Sequence, residues 1–148
     1  MMLNRTQTLL IWIFLGVALV GFLDSLYLFA AYYTGAPLVC SILEGCNVVA
    51  ASPYAKIAGI PLAFLGLLYY AIQFTIAGLF LLFKRRELIE GIFWFALLGV
   101  FASVYFVYLQ YFVIEAVCMY CMISAIASLV LFAVSWGLRR EVRSIRAQ

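Results

Sequence analysis

The sequence contains no histidine, and only 10% of its residues are charged. The absence of histidine excludes histidine-dependent catalytic triads, histidine metal ligands and histidine proton relays. Soluble domains carry about 25% charged residues, so the shortage of charge argues against a soluble protein. The sequence also has no Gly-x-x-x-Gly motif and no internal repeat, which excludes that helix-pairing signature and a repeat architecture.

The sequence contains several long runs without a charged residue, and 69% of its residues are hydrophobic. The runs at 57–83, 91–114 and 116–138 each exceed the roughly 20 residues that a helix needs to cross the hydrocarbon core of a bilayer. A fourth run near the N-terminus is also long enough, although it carries Asp24. The sequence therefore predicts a multi-pass membrane protein.

We predict an all-α integral membrane protein, a four-transmembrane-helix bundle that forms a single membrane domain over residues 1–148. The predicted spans are about 8–33, 59–83, 91–112 and 117–138. An outer loop at 34–58, with a short helix lying at the membrane surface, is expected to cover the mouth of the bundle.

The distribution of lysine and arginine predicts the orientation of the spans. Of nine such residues, eight precede the first span, join the second to the third, or follow the fourth; only Lys56 lies on the opposite side. By the positive-inside rule, both termini are expected in the cytoplasm and the loop at 34–58 outside the cell membrane. The net charge of +3 is then a topology signal, and we predict a lipid bilayer but no nucleic acid as partner.

All four cysteines fall on the predicted outer side, where disulfides form and persist. Cys40 and Cys46 lie in the outer loop, and Cys118 and Cys121 begin the fourth span. Two cysteines three residues apart at a helix start share one face within reach of a disulfide, and the helix dipole favours their thiolate form. A loop pair and a helix-borne pair on the same side of the membrane predict an electron relay by thiol–disulfide exchange.

Four cysteines allow three pairings. The pairing Cys40–Cys46 with Cys118–Cys121 and the cross-link Cys46–Cys118 would be successive states of one cycle. The second pair adjoins hydrocarbon, and no haem, flavin or metal motif is visible in the sequence. A lipid-soluble quinone is therefore the expected electron acceptor.

Several short motifs along nearly the whole chain resemble one known family. They are DSLY at 24–27, EGCNVV at 44–49, SPY at 52–54, GIP at 59–61, LGLLYY at 65–70 and CMYC at 118–121. With these motifs the sequence resembles the vitamin K epoxide reductase family in its bacterial and archaeal form. The most specific part of the resemblance is the set of four cysteines together with the serine six residues after the second.

The resemblance implies a four-helix bundle around a quinone that the outer loop caps. Cys40 would exchange with an extracytoplasmic thioredoxin-fold protein, and Cys46 would attack Cys118. Cys121 would face and reduce the quinone, while Ser52 would hydrogen-bond near the quinone oxygen. The implied activity is that of a thiol:quinone oxidoreductase, which supports disulfide formation in exported proteins.

The predicted quinone site, for ubiquinone, menaquinone or a vitamin K type, also includes Asp24 and Tyr69. Asp24 is a carboxyl group within a span, which is typical of a proton donor or a polar anchor facing the bundle interior. Many prokaryotic relatives carry a fused thioredoxin-like domain, which this sequence is not expected to contain. Ala125 stands where the vertebrate enzymes have a tyrosine that bears on vitamin K use, which favours oxidation of exported proteins over epoxide reduction.

Alternative interpretations from other functional classes remain open on the sequence. Four thiolates could form a zinc or copper site, although we predict no metal site. A non-catalytic scaffold with structural disulfides, a small transporter coupled to protons through Asp24, and a vitamin K epoxide reductase proper are the others.

Overall fold

The computed structural model describes residues 3–41 and 45–144. In chain order its elements are α1 (Arg5–Thr34), α2 (Cys46–Ala51), a short 3-10 helix (Pro53–Ala55), strands β1 (Lys56–Ile57) and β2 (Ile60–Pro61), α3 (Leu62–Phe83), α4 (Arg86–Phe112) and α5 (Met119–Ser144). The helices α1, α3, α4 and α5 are each long and apolar enough to cross a membrane. The predicted all-α four-helix membrane bundle is confirmed.

The four long helices pack as a ring. Helix α1 contacts α3 and α5, and α4 closes the ring, packing extensively on α5 and less so on α3. The buried core of the bundle comprises apolar side chains from all four helices, among them Phe14, Phe80, Ile92 and Leu131. Many large apolar side chains point outward instead, as a protein surrounded by lipid requires.

The ends of the first helix follow from local sequence. The backbone N–H of Asn4 donates a hydrogen bond to the side-chain oxygen of Gln7 at 3.1 Å, which is part of a capping box at the start of α1. Helix α1 ends at Thr34, and the following Gly35, with a φ of 69°, has the left-handed conformation typical of a residue that ends a helix. The chain then leaves the bundle and enters the outer loop.

The second membrane helix begins later than the sequence predicts. A span from about residue 59 would place Pro61 inside the first helical turn, but α3 begins at Leu62. Strands β1 and β2 pair as a hairpin, and both residues of the connecting turn, Ala58 and Gly59, have positive φ. Such turns match the twist of a two-stranded hairpin, so pairing with β1 takes the residues before α3 out of the helix.

An ion-pair cluster joins α4 and α5 at the end of the bundle opposite the outer loop. Glu90 accepts from Arg139 at 2.7 Å and from Arg143 at 3.2 Å. The guanidinium group of Arg139 also lies 4.1 Å from the centre of the Phe93 ring. These contacts tie the two helices together where the charged segments of the sequence are concentrated.

Candidate redox site and apolar cavity

The two cysteines of the outer loop form a disulfide. Cys40 and Cys46 are bonded, with their Cα atoms 6.4 Å apart. Cys46 is the first residue of α2 and is completely buried, whereas Cys40 is partly exposed. Of the two sulfurs in this bond, only that of Cys40 belongs to a residue that solvent reaches.

The second pair lies at the start of α5. Cys118 and Cys121 are free thiols; Cys118 is buried, and Cys121 is partly buried. The two sulfurs are within hydrogen-bonding reach of each other, as their spacing predicts. Cys121 lies one helical turn further along α5, roughly 4.5 Å at about 1.5 Å per residue.

Gln110 near the end of α4 positions this second pair. Its side-chain oxygen accepts a hydrogen bond from the backbone N–H of Cys118 at 2.8 Å, and its backbone oxygen accepts one from Ala116 at 3.1 Å. The first N–H groups of a helix have no intrahelical partner, so this contact satisfies a group that would otherwise be buried and unpaired. This role was not among the sequence-based predictions, although a glutamine in an apolar span is a signal that could have suggested it.

The structure brings the two cysteine pairs together. Cys46 and Cys118 belong to one buried cluster with Leu38, and Cys40 and Cys121 pack against it. Gly45 makes this approach possible: a Cβ atom there would lie 2.6 Å from both the nitrogen and the oxygen of the Val117 backbone. The loop backbone therefore rests directly on the backbone that precedes Cys118, which only glycine permits.

An apolar cavity of about 560 Å³ lies beneath this cluster. It is lined by residues of all four long helices and of the outer loop. Its lining includes Cys118 and Cys121, Ser52 and Tyr69, and also Ala125 on α5. A cavity of this size with a few polar groups among apolar walls is typical of a site for a small organic ligand.

Ser52 lines the cavity, but its hydroxyl already has a hydrogen-bond partner. The Ser52 Oγ donates to the backbone oxygen of Val49 at 2.7 Å. The backbone N–H of Ser52 also bonds the Val49 oxygen, at 3.2 Å, where α2 ends. In this arrangement the hydroxyl offers its lone pairs to a ligand, and it could donate its hydrogen only by releasing Val49.

Two adjacent tyrosines of α3 have different surroundings. The Tyr70 hydroxyl donates to the backbone oxygen of Ser124 at 2.6 Å and lies 3.1 Å from the Ser128 hydroxyl, which anchors α3 to α5. The Tyr69 hydroxyl accepts a hydrogen bond from the Gln73 amide at 3.4 Å. Both tyrosines line the cavity. Tyr70 joins α3 to α5, whereas the Tyr69 hydroxyl lies against Gly99 of α4.

Asp24 is buried in the bundle next to the cavity wall. It is 9% exposed, and its Oδ2 has no hydrogen-bond partner among the described residues. It does not belong to the cavity lining, whereas its neighbour Ser25 does. The carboxyl group is close enough to Tyr70, Cys118 and Cys121 to interact with them electrostatically.

Cysteines can also bind metal ions, which requires several ligand side chains close together. Over residues 3–41 and 45–144, no group of three or more cysteine or acidic side chains is arranged to hold a metal ion.

Comparisons with known proteins identify the family. Curated proteins provide no match to this chain. The profile described as "Vitamin K epoxide reductase family" matches residues 12–136, a range that includes both cysteine pairs and most of the four long helices. Because the match covers well over half of the sequence, this chain belongs to the vitamin K epoxide reductase family.

Proposed function

We propose that the protein is a thiol:quinone oxidoreductase that supports disulfide formation in exported proteins. It takes electrons from a thioredoxin-fold partner through Cys40 and Cys46, passes them to Cys118 and Cys121, and reduces a membrane quinone. Membership of the family supports an oxidoreductase. The observation that carries the proposal is the buried cluster in which Cys46 meets Cys118 above an apolar cavity that Cys121 lines.

The burial of the loop disulfide supports the order of the first step. A thiolate of the partner attacks the sulfur of Cys40, because Cys46 is completely buried. This forms a disulfide between the partner and Cys40, breaks the Cys40–Cys46 bond and releases Cys46 as a thiolate. The second thiol of the partner then attacks the mixed disulfide, which leaves the partner oxidised and the loop pair reduced.

The second step passes two electrons from the loop to α5. The Cys46 thiolate attacks the Cys118 sulfur of an oxidised Cys118–Cys121 pair, forms a Cys46–Cys118 bond and releases Cys121. Cys40 then attacks Cys46, which restores the loop disulfide and leaves Cys118 and Cys121 as a dithiol. The arrangement with Cys40–Cys46 bonded and the other two cysteines free corresponds to this last state.

The cavity fits a quinone head group in size and chemistry. Its apolar walls suit a ring, and Ser52, Tyr69 and Cys121 are the polar lining groups that we assign to the ligand. A bound quinone supplies a two-electron, two-proton acceptor. Formation of the Cys118–Cys121 disulfide would release two electrons and two protons, one proton from each thiol, which is what reduction of a quinone to a quinol takes up. Tyr69 would orient the ring through its hydroxyl. We assign buried Asp24 to proton transfer beside the cavity, because it lies outside the lining.

Ala125 bears on the choice between the two reactions considered for the family. It lines the cavity on the helix that carries Cys121. The resemblance places a tyrosine at this position in the vertebrate enzymes, and alanine offers no hydroxyl to the ligand. We therefore propose protein disulfide formation and not epoxide reduction.

Turnover by the purified protein tests the proposal. Reduced thioredoxin serves as the electron donor, a short-chain water-soluble quinone as the acceptor, and quinone reduction is followed by ultraviolet absorbance. Cys46→Ala and Cys118→Ala should each abolish transfer, and Cys40→Ala should block the protein donor but leave residual activity with a small dithiol. Ser41→Ala, at an exposed neighbouring position, is the matched control. Absence of turnover with every quinone type would refute the function.

The proposed side of the membrane has its own test. We place both termini in the cytoplasm and all four cysteines outside, on the basis of the lysine and arginine distribution. A membrane-impermeant thiol reagent, added to intact cells after reduction, should label the cysteines. Labelling that appears only after the membrane is permeabilised would reverse the orientation.

A further inference from the structure

The backbone just before Cys40 is held in place by the side chain of Asn47. The Asn47 Oδ1 accepts a hydrogen bond from the Leu38 N–H at 2.9 Å, and its Nδ2 donates to the Leu38 oxygen at 3.3 Å. One amide side chain thus bonds both backbone groups of a single residue. Asn47 belongs to α2 and directly follows Cys46, so this contact connects the two ends of the disulfide loop.

Two tyrosines hold the next residue, Val39, from the other side. The Tyr120 hydroxyl donates to the Val39 oxygen at 2.7 Å, and the Tyr27 hydroxyl accepts from the Val39 N–H at 3.4 Å. The two rings contact each other with their centroids 4.9 Å apart. Tyr27 belongs to α1 and Tyr120 to α5, where it lies between the two cysteines of the second pair.

None of these four hydrogen bonds involves a cysteine sulfur. The attachments of Leu38 and Val39 to α1, α2 and α5 therefore do not depend chemically on the disulfide. The Val39 side chain is 73% exposed, so this anchored segment lies at the surface immediately before the partly exposed Cys40. Cys46, in contrast, lies in the buried cluster with Cys118.

We propose that Tyr27, Asn47 and Tyr120 form a clamp that holds Cys40 at the surface throughout disulfide exchange. The clamp directs the thiolate of the protein partner to the Cys40 sulfur, so that Cys46 is the thiolate released next to Cys118. In this step the partner–Cys40 bond forms, the Cys40–Cys46 bond breaks, and the electron pair goes to the Cys46 sulfur. This inference rests on the proposed function and adds positioning residues to it.

The inference is tested by locating the bond to the partner. The probe is a thioredoxin whose second active-site cysteine is replaced by serine, so that the mixed disulfide accumulates and peptide mass spectrometry identifies the cysteine it joins. The wild-type protein should be linked through Cys40. Tyr120→Phe keeps the ring against Tyr27 but removes the O–H donor. In this variant the fraction of mixed disulfides that join the probe to Cys46 should rise roughly 2–13-fold, because one hydrogen bond is equivalent to about 0.5–1.5 kcal/mol.

Tyr111→Phe is the matched control, since Tyr111 is likewise a tyrosine of a long helix, is exposed and lies outside the clamp. Single-turnover oxidation of the reduced Cys118–Cys121 pair by a short-chain quinone should stay at the wild-type rate in Tyr120→Phe. If that rate changes, the adduct measurement is repeated with Asn47→Ala, which leaves α5 intact. The fraction of adducts at Cys46 should again be raised.

Failure of the clamp and failure of the proposed function would give different results. Wild-type adduct shares in Tyr120→Phe and in Asn47→Ala would overturn the clamp and leave the relay standing. Absence of any adduct between the wild-type protein and the thioredoxin probe, together with absence of quinone reduction, would overturn the proposed function itself.

Discussion

Replacement of Gly45 by alanine should separate the two cysteine pairs. The Gly45 backbone has φ −77° and ψ −1°, which alanine adopts without strain, so the effect of the substitution is purely one of space. The new Cβ would lie 2.6 Å from the Val117 nitrogen and oxygen and 3.1 Å from the Ala116 carbonyl carbon. These are backbone atoms of the segment leading to Cys118, so no flexible side chain can yield.

The size of the effect follows from these distances. Ordinary carbon contacts lie at roughly 3.5–4.0 Å, so the loop must move away by about 1 Å. A misplacement of about 1 Å at a reacting pair can cost on the order of 100-fold in rate, equivalent to about 2.7 kcal/mol of activation free energy. We expect electron transfer from Cys46 to Cys118 in the Gly45→Ala variant to slow by about that factor.

Two rapid-mixing measurements separate this step from the others. After reduced thioredoxin is mixed with the fully oxidised variant, the appearance of the Cys118–Cys121 dithiol measures the relay. Single-turnover oxidation of that dithiol by a short-chain quinone measures the chemistry beyond it. The first should fall about 100-fold and the second should be unchanged. Gly16→Ala is the matched control, because its added Cβ would meet no atom within 4 Å apart from the local backbone of its own helix. A relay rate within twofold of wild type, or an equal loss in both measurements, would refute the reasoning.

Substitutions at three further positions test the surroundings of the site. Gln110→Leu leaves the Cys118 N–H buried without an acceptor and should destabilise the protein by about 1–3 kcal/mol in detergent unfolding, whereas Gln110→Glu, which keeps an acceptor, should lose less. Tyr69→Phe should raise the KM for quinone roughly 2–13-fold at unchanged relay rate; an unchanged KM would remove Tyr69 from the ligand site. Asp24→Asn keeps the shape of the side chain but cannot transfer a proton, so it should lower the rate of quinone reduction by about 100-fold, a typical general acid–base contribution, and leave quinone affinity unchanged; a wild-type rate would assign Asp24 a purely structural role.

The membrane class and the number of spans could be predicted from the sequence because both depend on local composition. A run of about 20 apolar residues is stable in hydrocarbon only as a helix, whatever the rest of the chain does. The four predicted spans correspond to α1, α3, α4 and α5 for this reason. The start of α3 was misplaced by three residues, since pairing between β1 and β2 is a non-local contact that composition does not reveal.

The four cysteines could be selected as the candidate site because their chemistry and their spacing are visible in the chain. Contacts between distant segments are not. The hydroxyl of Tyr120 reaches Val39, 81 residues away, and Gly45 rests on the backbone of Val117. Neither a tyrosine nor a glycine carries a local mark of such a partner, so the clamp and the close approach were absent from the predictions.

What the sequence determined by itself was the environment of the chain, its helices and its reactive groups, because hydrophobicity and thiol chemistry are properties of the residues themselves. Only the tertiary structure decided which sulfur is exposed, which is buried, and which groups line the cavity. Cys40 and Cys46 are chemically equivalent in the sequence, yet packing against Leu38 and Cys118 buries one and leaves the other accessible. Burial depends on what surrounds a residue in space, and that is fixed only when the loop closes over the bundle.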